Sequence, residues 1–99
     1  KGITASFMPK PIAGVNGSGM HVHTSLFSNG RNAFFDESDA DYHLSDVARQ
    51  FMAGVFTYLP EGMIILCQWA NSFKRLIPGY EAPVYLCWGA RNRSASAKV

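Results

Sequence analysis

The chain has 99 residues, 47% of them hydrophobic, 13% aromatic and only 16% charged, with a formal net charge of +2. Its longest apolar run, Met63-Ile64-Ile65-Leu66-Cys67, is far short of the ~20 residues a membrane helix needs, and Cys67 and Cys87 have neither CxxC nor zinc-ligand spacing. These features argue against a membrane span, a disulfide scaffold and a zinc ribbon, and no dense Lys/Arg run with interleaved aromatics marks a nucleic-acid surface.

In chain order, residues 3–8 read as a strand with a β-branched start, ended by Pro9 and Pro11. Gly14, Gly17 and Gly19 mark a loop. Residues 20–27 alternate: Met20, Val22, Thr24 and Leu26 take one face, His21, His23 and Ser25 the other, as in a half-buried strand. Ser28-Asn29-Gly30-Arg31 is a hairpin turn signal, with residues 32–35 as a short return strand. Residues 36–41 form a solvated acidic loop.

The best helix is residues 44–59, where Leu44, Val47, Ala48, Phe51, Met52, Val55, Tyr58 and Leu59 recur on one face behind Ser45 as N-cap. Pro60-Glu61-Gly62 is expected to stop it, and Pro60 could open a second helix running to about Trp69. Residues 71–83 read as a loop, and residues 84–88 and 94–99 as two further strands. Mixed elements with a hairpin predict an α+β fold with antiparallel pairing.

The low charged share has two readings: a chain covered by other protein in its natural setting, or a compact, moderately hydrophobic domain. A compact chain of this size would bury roughly 60–70% of its unfolded surface. Charge is unevenly placed. Asp36, Glu37, Asp39, Asp41 and Asp46 crowd the middle, whereas Lys74, Arg75, Arg91, Arg93 and Lys98 face only Glu81 in the last third. Such a basic end suits phosphates or carboxylates. Both cysteines are expected to be free thiols.

Four places could carry chemistry. His21 and His23 are alternate residues of one strand, about 6–7 Å apart, so both imidazoles would face one cavity, and a neutral imidazole nitrogen suits a divalent metal. By itself His-x-His decides little, since it also marks polar residues on a solvated strand face. The glycine loop is neither a Walker loop nor a Rossmann fingerprint. It could bring backbone N–H groups to an anion, or be only a turn. Arg75 offers a fork for a carboxylate, and Glu81 behind Pro78-Gly79 could close a site or take a proton; a surface ion pair is the plainer alternative. Arg91 and Arg93 could face phosphate or be surface charges.

Taken together, Lys10-Pro11-Ile12, Asn16-Gly17-Ser18-Gly19-Met20-His21 and Ser25 resemble the ATP-region signature of glutamine synthetases. Asn71-Ser72-Phe73-Lys74-Arg75-Leu76-Ile77-Pro78-Gly79-Tyr80-Glu81-Ala82-Pro83 and Ala90-Arg91-Asn92-Arg93-Ser94-Ala95-Ser96 resemble that family in the same order. The resemblance runs over essentially the whole chain. It implies an internal fragment of one catalytic domain, with no second domain, built as an antiparallel sheet flanked by helices. It also implies ATP-dependent ligation of ammonia to the γ-carboxylate of glutamate through γ-glutamyl phosphate, with Mg2+ or Mn2+.

Residue by residue, the resemblance implies that His21 binds metal and that His23, Thr24 and Ser25 face ATP. Asn16 and Gly17 would hold the amino-acid end of glutamate, and Arg75 would pair with a glutamate carboxylate. Glu81 would shield the acyl phosphate and help deprotonate ammonium, and Arg93 would stabilise the transferring phosphoryl group. Lys98 stands where the family usually has a second nucleotide-contacting arginine; it keeps the charge and loses the fork. Trp88-Gly89 and Trp69-Ala70 also depart from the usual residues. A ring-shaped homo-oligomer, a cytoplasmic location, and no nucleic-acid or membrane partner are the remaining expectations. Rival readings are a γ-glutamyl ligase for methylamine or a polyamine, a catalytically silent relative, and a small His-x-His metal-binding module. The fragment alone is expected to be inactive.

Overall fold

The computed structural model describes residues 2–92 and 94–99. Six elements follow in order: β1 (Phe27–Ser28), β2 (Arg31–Asn32), α1 (Asp46–Leu66), α2 (Ala70–Arg75), β3 (Tyr85–Gly89) and β4 (Ala95–Lys98). The mixture is α+β, as the sequence predicts.

The hairpin forms where Asn-Gly requires it. Asn29 and Gly30 have φ of 50° and 76°, the left-handed pair of a tight turn, and Phe27 pairs with Asn32 and Ser28 with Arg31 in antiparallel register. The Ala33 N–H extends the pairing to the Leu26 carbonyl at 2.7 Å. Residues 3–8 and 20–26, expected as strands, have no ladder. Alternation assigns side chains to faces, but a strand also needs a partner for its N–H and C=O groups, and among the described residues the one backbone–backbone bond to these segments is that of the Ala33 N–H to Leu26, at the edge of the hairpin.

The acidic segment is solvent-exposed but organised. Asp39 accepts from the Tyr42 and Leu44 N–H groups at 3.1 and 3.0 Å and pairs with Arg49 at 2.8 Å. Phe35 bridges Leu44, so the loop closes onto the start of α1. Ser45 caps that helix, accepting from the Ala48 N–H at 3.2 Å and donating to the Ala33 carbonyl at 2.6 Å. Below it Phe34 packs on Phe51, ring centroids 5.2 Å apart.

α1 does not end at Pro60 but runs through it to Leu66. Proline's φ is compatible with a helix, and only the bond to the carbonyl four residues back is lost. The apolar sequence on both sides keeps the remaining ladder, which closes with Cys67 N–H on the Met63 carbonyl at 2.8 Å. The expected loop at residues 71–83 begins instead as α2. Its six residues are too few for a periodic pattern to show, and no Gly or Pro interrupts it. Ser72 is buried at its start and accepts from the Trp69 N–H at 3.3 Å; Lys74 and Arg75 sit in its last turn, where cations suit the helix dipole.

The last two strands appear where predicted, but they pair in parallel, Tyr85 with Ala95 and Gly89 with Lys98. This corrects the expectation of antiparallel pairing throughout. No Asn-Gly turn reverses the chain here; left-handed Arg91 (φ 56°) instead loops the chain back to the start of β3. The Ala95 N–H then bonds the Asn92 carbonyl at 3.3 Å and the Ser96 hydroxyl bonds the Tyr85 carbonyl at 2.5 Å. Trp88 of β3 meets Tyr42 edge-on at 5.1 Å and borders a small groove with Met52 and Phe56 of α1.

The compact-domain expectation fails. The accessible surface is 8095 Å², against about 5,600 Å² for a compact monomer of this mass. The radius of gyration is 16.5 Å, against about 13 Å. The buried apolar residues among those described are Ala48, Ala82 and Ala95, whereas Ile64, Ile65, Leu66 and Trp69 stay exposed. No helix among the described residues is long and apolar enough to cross a membrane.

Candidate active site

The glycine loop is held from below. Lys10, next to Pro9 and Pro11, is clamped reciprocally by a residue 61 positions away: Asn71 Oδ1 accepts its N–H at 2.6 Å, and Asn71 Nδ2 donates to its carbonyl at 2.9 Å. The Ser18 N–H donates to the Pro9 carbonyl at 2.8 Å, closing the loop. The start of α2 therefore sets where residues 9–19 run, and the end of α2 delivers Arg75 beside them.

That approach explains two glycines by space rather than by backbone angle. A Cβ at Gly17 would overlap the Pro9 carbonyl oxygen and stand 3.1 Å from Arg75 Cγ. A Cβ at Gly19 would overlap the Arg75 guanidinium, with Nε at 3.1 Å. The guanidinium thus lies close against bare backbone at Gly19.

A cleft of about 320 Å³ opens beside it. Asn16 and Gly17 from the glycine loop, His21 from the following segment, Arg75 from α2, Glu81 from its loop and Lys98 from β4 all line it, with Gly19 and Tyr80. Positions separated by up to 82 residues of sequence, Asn16 to Lys98, converge on one polar cavity. Among the described residues that line it, the cations Arg75 and Lys98 outnumber the one carboxylate, Glu81, so it suits an anion. Glu81 itself has φ 59° and follows Gly79 at φ 90°. A left-handed glutamate is an unfavourable backbone state of the kind found at functional sites.

Other expected site residues are not brought to this cleft. His23, Thr24 and Ser25 are exposed and do not line it, so of the two imidazoles only His21 faces the cavity. Arg93 lies outside the described residues. Of the donor types a metal would use, the cleft holds His21 and Glu81, and no group of three His, Cys, Asp or Glu among the described residues could hold an ion. One imidazole does not make a metal site, so further ligands would have to come from outside these residues. Asp36 and Asp39, both outside the cleft, titrate below the ordinary carboxylate value of 3.8. The main causes are hydrogen bonds from Ser38 to Asp36 and from the Leu44 N–H to Asp39.

Sequence reasoning gave no role to Gly19, Tyr80, Lys10 or Asn71. The available signal was a lone lysine between two prolines, far from any acid in sequence, and an asparagine opening the second motif. Neither says that the two meet.

All residues 1–99 match the family model described as "Glutamine synthetase, catalytic domain". The chain is similar to the "Glutamine synthetase" of Clostridium saccharobutylicum, 55% identical over 98 residues, covering 99% of this chain and 22% of that protein. It is 49% identical over 98 residues to the one of Thermus thermophilus, again covering 99% of this chain and 22% of the relative. It is 48% identical over 99 residues to that of Methanosarcina mazei, covering 100% of this chain and 22% of the relative. The chain thus spans about a fifth of the length of these relatives.

Proposed function

The chain belongs to the glutamine synthetase catalytic-domain family, and we propose that it forms part of an active site joining ammonia to the γ-carboxylate of L-glutamate at the expense of ATP. In this reading a γ-carboxylate oxygen attacks the γ-phosphorus of ATP, ADP leaves, and γ-glutamyl phosphate forms. Ammonia then attacks the γ-carbonyl carbon and inorganic phosphate departs.

The observation that supports this is the polar cleft, in which Asn16, Gly17, His21, Arg75, Glu81 and Lys98 converge. Asn16 and the Gly17 backbone would take the amino-acid end of glutamate. Arg75, held against Gly17 and Gly19, would pair with a glutamate carboxylate in a bidentate, charge-assisted contact. Glu81 would cover the acyl phosphate against water and accept the proton of ammonium. Lys98, His23, Thr24 and Ser25 would face the nucleotide, and Arg93 the transferring phosphoryl group. A divalent cation, Mg2+ or Mn2+, would supply charge neutralisation at the phosphates, with His21 as one of its ligands and the others from elsewhere in the protein. The wide exposed apolar surface fits a piece covered by the rest of a longer chain and by neighbouring subunits of a ring-shaped homo-oligomer in the cytoplasm.

The test is phosphate release by the full-length protein with glutamate and Mg-ATP, over ammonia, methylamine and polyamines. Ammonia is expected to give the highest kcat/KM. Turnover only with a larger amine would leave the ATP and glutamate roles and make the protein a γ-glutamyl-amine ligase; no turnover with any amine would refute the catalytic reading. The isolated 99-residue chain is expected to release no phosphate.

A further inference from the structure

We propose that Lys10 and Tyr80 form a latch that positions Glu81, tying the loop that carries this carboxylate to the glycine loop across the cleft. The inference rests on the role proposed above for Glu81.

Lys10 is 7% exposed and is the buried charged residue among those described. A buried ammonium is costly unless it is partnered. This one donates to the Val15 carbonyl of the glycine loop and sits 3.8 Å from the centroid of the Tyr80 ring. A cation over an aromatic face gains strength as water is excluded. The Lys10 backbone cannot drift, because Asn71 holds both its N–H and its carbonyl. Lys10 is therefore a fixed post, rooted on α2, with its head group reaching both loops that border the cleft.

Tyr80 lies between two left-handed residues, Gly79 and Glu81, at φ 90° and 59°. A glutamate keeps such a conformation only where its surroundings impose it. The half-buried Tyr80 ring is a side chain adjacent to Glu81, and its seat on Lys10 is one source of that constraint. If the seat is removed, the loop relaxes and the carboxylate is misplaced, while Arg75, which is carried by α2 and lies close to Gly17 and Gly19, stays where it is. Lys10 and Tyr80 are positioning residues here, acting through Glu81.

The experiment uses the full-length protein with Lys10→Met, Tyr80→Leu, Tyr80→Phe and the Lys10→Met/Tyr80→Leu double variant. Lys10→Met and Tyr80→Leu should each lower kcat by about tenfold or more, since a misplacement of about 1 Å can cost up to 10²-fold. KM for ATP should change by less than about threefold. Tyr80→Phe keeps the ring and should rescue most of the loss seen with Tyr80→Leu. The double variant should fall no further than the worse single one, as expected of one coupled pair.

Multiplicative losses in the double variant, or Tyr80→Phe as damaged as Tyr80→Leu, would overturn the latch. A second readout needs no turnover: cleavage by a glutamate-specific protease after Glu81, quantified by mass spectrometry, should be faster in Tyr80→Leu than in wild type and Tyr80→Phe. Equal cleavage in all three overturns the latch. A wild-type protein without turnover refutes the ligase reading instead, and leaves the cleavage comparison to decide the latch.

Discussion

Replacing Gly19 by alanine separates what the glycine loop does for folding from what it does for the cleft. Gly19 does not have a left-handed φ, so alanine can adopt its backbone. The new Cβ would run into the Arg75 guanidinium, the far end of a flexible side chain. The fold yields by swinging that group away, and stability should stay within about 0.5 kcal/mol of wild type. Binding should not be spared. A hydrogen bond to a charged group contributes about 1.5–3 kcal/mol, so displacing Arg75 should lower kcat/KM for glutamate by about 10- to 150-fold at 1.4 kcal/mol per tenfold. Gly17→Ala is the contrast. Its Cβ would overlap the Pro9 carbonyl oxygen, backbone that already accepts the Ser18 N–H at 2.8 Å. That backbone must shift, and overpacking of this kind costs about 1–3 kcal/mol. Steady-state kinetics against glutamate and denaturant unfolding of the full-length protein read the two effects separately. Gly19→Ala with normal glutamate kinetics, or with a stability loss matching that of Gly17→Ala, would refute the reasoning.

Two other outcomes follow from single contacts. Asn71→Leu removes both hydrogen bonds to the Lys10 backbone; at about 0.5–1.5 kcal/mol each, unfolding of the full-length protein should shift by about 1–3 kcal/mol, and no shift would show that this clamp does not stabilise the loop. The Asp39 carboxyl is held below 3.8, chiefly by the Leu44 N–H, so between the two values the folded state binds fewer protons than the unfolded one. Its contribution is fully present above 3.8 and is lost as pH falls through the lowered value. The stability gap between wild type and Asp39→Asn should therefore close on acidification, and a gap that persists undiminished in strong acid would show that the carboxylate charge is not its source.

What the sequence by itself determined is local. Asn29-Gly30 dictated the hairpin because few other pairs accept two left-handed residues in succession. Ser45 and the spacing that follows it determined where α1 starts, because an N-cap and an apolar stripe act within one or two turns. Its far end is not legible in the same way, because proline signals a break, whereas a helix loses only one bond at Pro60 and continues where the flanking residues favour it. The motifs also marked Asn16, Gly17, His21, Arg75, Glu81 and Lys98 as site residues through a family resemblance, without saying where they meet.

Only the tertiary structure decided that these six share one cavity, that His23 stays outside it, and that Lys10 and Asn71, 61 residues apart, hold the loop in place. It also decided that β3 and β4 pair in parallel and that residues 20–26 stay without a ladder. The physical reason is the same in each case. Pattern reports which face of its own segment a residue takes, whereas pairing, burial and close approach depend on what arrives from elsewhere in the chain. At Gly17 and Gly19 the missing side chain is explained only by Arg75 and, at Gly17, the Pro9 carbonyl arriving against bare backbone.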